Sequence, residues 1–190
     1  MIFCAILISL LIGWWKVDGP GAPKAATQIP LNLEQMSFQM IDRDRNKVGP
    51  KNLLGKPSIV FFGFTHCPDI CPTTLSDISG WLNELGSQTS LLNAVFITVD
   101  PERDTAEIMA EYTAYFHPLI QGWRGTKEQT RRTAQNFRVM YKKVPADDSD
   151  YTVDHTASIF LFDQHGSLQS TIDYHEQREI ALQKIRRLLQ

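Results

Sequence analysis

Residues 58–64 (SIVFFGF) form a continuous run dominated by β-branched and aromatic side chains, the pattern of a strand buried on both faces. Gly55, Lys56 and Pro57 turn the chain into it, and a CxxxC segment, Cys67 to Cys71, leaves it. Residues 73–85 then carry Leu75, Ile78, Leu82 and Leu85 at the three-and-four spacing of an amphipathic helix, closed by Gly86. A doubly covered strand feeding a helix needs a packed layer on each side, so this core calls for an α/β architecture.

The remainder of the chain continues the alternation. Residues 37–42, the turn-prone residues 43–47 and Val48 predict a hairpin. Residues 92–99 predict a second buried strand, and residues 106–116 a helix capped by Asp104 or Thr105 and stopped by Pro118. A short strand near 119–123 and a helix over 127–139 follow, then a polar acidic loop, PADDSD, at 145–150. Residues 157–162 and 168–172, joined by the turn 163–166, predict a second hairpin, and residues 176–189 a final amphipathic helix. No internal repeat is evident. Strands alternating with helices and then a hairpin imply a central mixed sheet flanked by helices, and a CxxxC between strand and helix in this order points to a thioredoxin-like fold.

At 190 residues and 43% hydrophobic content the chain can bury one full core, the size of a single domain plus a tail. The net charge of −2, with acidic and basic residues interspersed, lacks the concentrated basic surface that nucleic acid requires. Residues 2–15 (IFCAILISLLIGWW) carry no charge and end in two tryptophans, as at a membrane interface. That length is short of the roughly 20 residues of a spanning helix and nearer the apolar part of a signal peptide. Lys16 follows the run and no basic residue precedes it, the reverse of the usual orientation signal and what a start placed too far downstream would give. The expectation is therefore a membrane anchor or signal segment over 1–16, a Gly, Pro and Ala-rich tether over 17–32, and a folded domain over 33–190. Cys4 lies inside the apolar run, too close to the start for a lipoprotein cleavage site, and carries no assigned role.

Two thiols four residues apart on a helix have Cα atoms about 6 Å apart, within reach of a disulfide or a shared metal ion. With Cys67 as helix cap and Cys71 in the first turn, the helix dipole would make both more acidic than free cysteine. Pro68 and Pro72 suit that placement, since first-turn amides have no partner within the helix. The plainer reading is a structural disulfide or a pair of inert core thiols. In an oxidising compartment the pair would close to a disulfide unless reduced or occupied by metal.

Five histidines are available to join the sulfurs. His66 adjoins Cys67, but neighbouring side chains rarely converge on one ion, so it reads as an electrostatic influence or packing residue. His117, His165 and His175, beside a helix-ending proline, in a turn and at a helix start, are expected to face solvent. His155 stands between the acidic loop and a buried strand, and in a thioredoxin-like arrangement that loop lies beside the cysteine turn. An ordinary core or surface role is the commoner one for histidine, so both readings stand at this point. Asp154 is a candidate acceptor for its ring. Asp100 and Asp104 read as turn and helix-cap residues, with Asp100 or Asp69 as alternatives for tuning the site or docking a partner.

The segments GFTHCPDICP (63–72), TVDPERDT (98–105) and VDHTAS (153–158), in this order behind an apolar N-terminal segment, resemble the Sco/SenC family of copper-binding proteins. The resemblance spans essentially the whole domain from about Leu33 onward, with Thr156 where a serine is usual. It implies a membrane-tethered thioredoxin-like domain that binds copper through Cys67, Cys71 and His155. It also implies a role in assembling the CuA centre of cytochrome c oxidase, with subunit II as partner. The expected location is the periplasmic face of an inner membrane, or the intermembrane-space face in a mitochondrion.

Two thiolates are soft donors suited to Cu(I), and an imidazole admits Cu(II) as well. Zinc fits the same donors, so the choice of copper comes from the resemblance. The competing reading is an enzyme, a thiol-disulfide oxidoreductase acting on the cysteines of the CuA site or another exported cuproprotein, with Cys67 and Cys71 as the redox pair. It needs both cysteines but not His155. A thiol peroxidase fits poorly, because no Thr/Arg arrangement of the peroxiredoxin kind surrounds Cys67.

Overall fold

The structure, a computed structural model, describes residues 30–146 and 150–190. The apolar segment 2–15, Cys4, all of the tether up to residue 29 and residues 147–149 of the acidic loop lie outside the described residues.

A short hairpin, β1 (Met40–Ile41) with β2 (Lys47–Val48), precedes the main sheet. That sheet has five strands in the order β5-β4-β3-β8-β9: β3 (Ser58–Gly63), β4 (Asn93–Thr98), β5 (Ile120–Trp123), β8 (Ile159–Phe162) and β9 (Leu168–Ile172). Every residue of β3 is buried, as expected for the central strand. It runs parallel to β4, with Phe61 opposite Phe96 and Gly63 opposite Thr98, and antiparallel to β8, with Phe61 opposite Ile159. The sheet is therefore mixed, with parallel β3, β4 and β5 on one side and an antiparallel hairpin on the other.

Helix α1 (Ile70–Leu85) buries Cys71, Leu75, Ile78, Trp81, Leu82 and Leu85, and ends at Gly86, whose φ of 57° favours glycine. It starts three residues before the expected first position, with Pro72 third in the helix, where its missing N–H costs nothing. Helix α2 (Ala106–Phe116) packs on β5 and on α1. Its cap is Thr105, whose hydroxyl accepts from the amide of Ile108, and not Asp104. Helix α3 (Lys127–Asn136) opens with a capping box between Thr126 and Gln129. It ends three residues earlier than predicted because Phe137 turns into the core and Arg138 takes a left-handed φ of 56°. Helix α4 (Arg178–Leu188) closes the chain against β8 and β9.

One element is absent from the sequence-based expectation. Residues Tyr141–Pro145 (β6) and Tyr151–His155 (β7) form an antiparallel ribbon separate from the main sheet, pairing Tyr141 with His155. His155 thus ends a strand and does not sit in a loop. Only Val153 of the ribbon is buried, so neither an apolar run nor a clean alternation announces it.

The alternation along β3 divides the core. Phe62 joins Phe38, Phe137, Phe160 and Phe162 on one face, with ring centroids of contacting pairs 5.0–6.5 Å apart. Phe61 and Gly63 point the other way, toward Phe96, Cys71 and the His155 ring. Phe137 is fully buried at the centre of the first cluster, and Phe137→Ala should destabilise the protein by about 3–5 kcal/mol, measured by chemical denaturation.

Candidate metal centre

Cys67 leaves the C-terminal end of β3 and lies two residues before the helix cap position, which Asp69 occupies without a side-chain cap bond. Its sulfur nevertheless takes a first-turn amide, accepting from Cys71 N at 3.4 Å. Cys71 is the second residue of α1 and is fully buried; both cysteines are free thiols. A β-carbon on Gly63 would lie 2.7 Å from Cys71 Sγ and 2.7 Å from the Phe96 ring, so the bare backbone there is what gives the sulfur its place.

His155 Nε2 lies 3.5 Å from Cys71 Sγ. Its Nδ1 lies 2.9 Å from the carbonyl oxygen of Thr156. A carbonyl only accepts, so Nδ1 carries a proton, and in the neutral ring Nε2 is the nitrogen that offers its lone pair on the sulfur side. Phe61 and Phe64 meet the ring in edge contacts at 6.3 and 5.9 Å and hold its plane. The three donor atoms, Cys67 Sγ, Cys71 Sγ and His155 Nε2, all lie within 4.8 Å of one another. Thiolate and imidazole donors sit about 2.0–2.3 Å from a first-row metal ion, and so roughly 3.3–4 Å from each other. The set is thus at most about 1.5 Å wider than the spacing one ion would require.

The expectation that both thiols would be acidic is corrected. The Cys71 thiol donates to Cys67, and this is the main cause that lowers Cys67 to about 4; burial opposes the shift, while His155 and the amides of Cys71 and Asp69 reinforce it. Cys71 moves up instead, because it keeps the shared proton, is buried, and faces the Cys67 charge. Two thiols in one site do not ionise independently, and the buried one retains the proton.

The other histidines stay outside the cluster. His66 is exposed, with Nδ1 on the Thr65 hydroxyl at 3.1 Å, and His165 and His175 are exposed as expected. His117 departs from expectation: it is half-buried, its Nδ1 accepts from Leu119 N, and burial lowers its pKa. Asp154 does not orient His155; it is exposed on the opposite side of β7, and the Thr156 carbonyl takes that role. Asp69 is exposed, and its carboxylate accepts only a 3.4 Å contact from the Thr73 hydroxyl.

Asp100 and Asp104 are both fully buried, which turn and cap chemistry did not foretell. Asp104 accepts from Thr65 N, Thr65 Oγ1 and Thr98 Oγ1, and its burial raises its pKa. Asp100 accepts from Arg103 Nε and from Tyr151 Oη at 2.9 Å. Arg103 and Tyr151 had drawn no attention in the sequence. The only available signal was the density of charge in DPERD directly after a buried strand.

The SCO1/SenC family model matches residues 26–190. The chain belongs to the SCO1/SenC family. Among its relatives are the SCO1 homolog 1 of Arabidopsis thaliana mitochondria, 41% identical over 76% of this chain and 41% of that one, and mitochondrial SCO1 of Saccharomyces cerevisiae, 37% identical over 78% and 51%. An SCO2-like protein of Rickettsia felis is 37% identical over 85% of this chain and 84% of its own length. This family member spans about half the length of the mitochondrial relatives named here. Similar solved structures include Bradyrhizobium japonicum ScoI with copper bound, 42% identical with a TM-score of 0.74 over 80% of this chain and 96% of that one. Yeast Sco1 with copper bound gives 37% identity and a TM-score of 0.72 over 79% and 84%. The thioredoxin-like fold and the family resemblance expected from the three motifs are both upheld.

The thiol asymmetry has a kinetic signature. Alkylation by iodoacetamide in the metal-free, reduced protein should occur first at Cys67. Its rate should stay level from alkaline pH down to about 5 and fall as pH approaches about 4. A free thiol would instead lose rate below about 8.5. Peptide mapping by mass spectrometry checks both site and profile.

Proposed function

We propose that this chain carries copper as cargo on Cys67, Cys71 and His155 and hands it on during assembly of cytochrome c oxidase, at the CuA centre of subunit II. The observation that carries the reading is the meeting of two sulfurs and one imidazole nitrogen within 4.8 Å, drawn from segments 84 residues apart. Soft thiolates favour Cu(I) and the imidazole accommodates Cu(II), while nothing in the set suits Mg or Ca. Copper in the similar ScoI and Sco1 structures supports this metal over zinc, which the donors alone would also accept.

For delivery, a three-donor site has an advantage over a closed tetrahedral one. Cys67 and His155 are partly exposed while Cys71 is buried beneath them. A recipient thiolate can therefore approach from the Cys67 side before any donor lets go. Removal of Cys67, Cys71 or His155 by alanine should each cost more than about 100-fold in copper affinity, since outer partners of a ligand alone cost 10–100-fold. Equilibrium competition against a chelator measures this, and unchanged affinity in His155→Ala would remove that residue from the site.

A second reading has its own observation, the acidic, half-exposed Cys67 beside a buried, protonated Cys71. As a reductase, Cys67 would attack a substrate disulfide and release one substrate thiolate; Cys71 would then give up its proton, attack the Cys67 sulfur and release the second. The two electrons lost by the pair reduce the substrate, and a cellular thiol reductant would restore the dithiol. Oxidase assembly in cells separates the two readings: cargo delivery requires His155, whereas assembly that survives His155→Ala but not loss of either cysteine is thiol reduction.

The proposed setting is the outer face of an inner membrane, in the periplasm or the mitochondrial intermembrane space, with residues 1–16 as anchor or signal and 17–32 as tether. Among the described residues no helix is long and apolar enough to cross a membrane. The two mitochondrial relatives named above support the setting. A compartment-sensitive reporter fused after Gln190 should be active outside the cytoplasm or matrix, and a cytoplasmic signal would contradict export.

A further inference from the structure

The ligands arrive on two arms that the main sheet does not hold in register with each other. His155 rides on the β6–β7 ribbon, which shares no ladder with the five-stranded sheet. Cys67 rides on the loop that leaves β3, beyond its last paired residue, Gly63. Between them lies the turn of residues 100–104, which follows β4.

The turn grips both arms. At one end, Asp100 accepts from Tyr151 Oη at 2.9 Å, and Arg103 donates to the Tyr151 carbonyl at 2.9 Å while stacking 3.8 Å from the Tyr151 ring. Lys143, on the partner strand, also lies over that ring, 4.0 Å from its centroid, and pairs with Glu102 at 2.6 Å. At the other end, Asp104 accepts from both the amide and the hydroxyl of Thr65, two residues before Cys67. The turn is braced internally as well, since Arg103 bonds Asp100 and the Asp104 amide bonds the Asp100 carbonyl. Both aspartates are fully buried, so each accepts these bonds without competition from water.

We propose that the turn 100–104 is a yoke that sets the spacing of the ligand set, with Asp100, Arg103 and Tyr151 as positioning residues for His155 and Asp104 and Thr65 as positioning residues for Cys67. The inference rests on the copper-site reading above. Releasing the Asp100 end frees the imidazole and leaves the dithiol intact; releasing the Asp104 end loosens Cys67 and leaves the ribbon in place. One turn thereby sets the imidazole and the exposed sulfur through separate bonds.

The test compares Tyr151→Phe and Thr65→Val in the purified full chain. Tyr151→Phe keeps the ring and its stacking but loses the bond to Asp100. In the metal-free protein it should speed amide exchange of the β6–β7 ladder about tenfold, the effect of losing one hydrogen bond, while β3 and β4 amides exchange as before. Copper affinity should fall about 10–100-fold, and the nitrogen hyperfine signature of bound Cu(II) should weaken. Thr65→Val should lower copper affinity through Cys67 and shift the Cys67–Cys71 midpoint potential, leaving ribbon exchange alone. Wild-type ribbon exchange and copper affinity in Tyr151→Phe would overturn the yoke, as would faster ribbon exchange in Thr65→Val. Failure of the wild-type chain to bind copper would instead overturn the parent reading, and the exchange data would still judge the yoke.

Discussion

The donor set of this protein is brought together by one contact, Cys71 Sγ against His155 Nε2 at 3.5 Å. It joins the first turn of a helix to the end of a strand outside the main sheet. The space for it exists because Gly63, at the end of the central strand, presents no side chain beneath the sulfur. The imidazole is aimed by its own neighbour's carbonyl and by two phenylalanine edges, so the lone pair that faces the sulfur is set by backbone and packing. The second sulfur completes the set through the amide of Cys71, which fixes Cys67 relative to the helix it precedes.

The same arrangement makes the two cysteines chemically unequal. Cys71 is enclosed by Gly63, Phe96 and the imidazole and keeps its proton, whereas Cys67 takes the charge at the partly open edge. An exposed thiolate over a buried thiol serves either a cargo site that a recipient can reach or an attacking and resolving pair. The imidazole beside Cys71 completes a donor set for a metal, and its removal leaves both sulfurs in place, so His155 is the residue at which the two uses separate.

Much of this was legible in the sequence where burial and periodicity coincide. The apolar runs at β3, β4 and β8 and the spacing of Leu75, Ile78 and Leu82 in α1 can be satisfied in few other ways, and the strand–CxxxC–helix order gave the fold class. The ribbon that carries His155 was missed because it rests on the protein by one edge. Its strands bury Val153 alone, and Tyr151 is held by a stack and a phenolic hydrogen bond, which leave no period in the sequence. The burial of Asp100 and Asp104 was illegible for a related reason. A carboxylate before proline and one before a helix satisfy local turn and cap rules in full, and only tertiary structure shows that Thr65 and Tyr151 claim them instead. The acidity of Cys67 was anticipated, but its partner's opposite shift is a property of the pair.

Two sulfurs and one imidazole nitrogen sharing one metal ion would leave a distinct signature in X-ray absorption at the copper edge. With one equivalent of copper on the full chain, the first shell should hold two sulfur scatterers and one imidazole nitrogen, the nitrogen vanishing in His155→Ala. A first shell of sulfur alone in the unaltered protein, or one unchanged by that substitution, would contradict it.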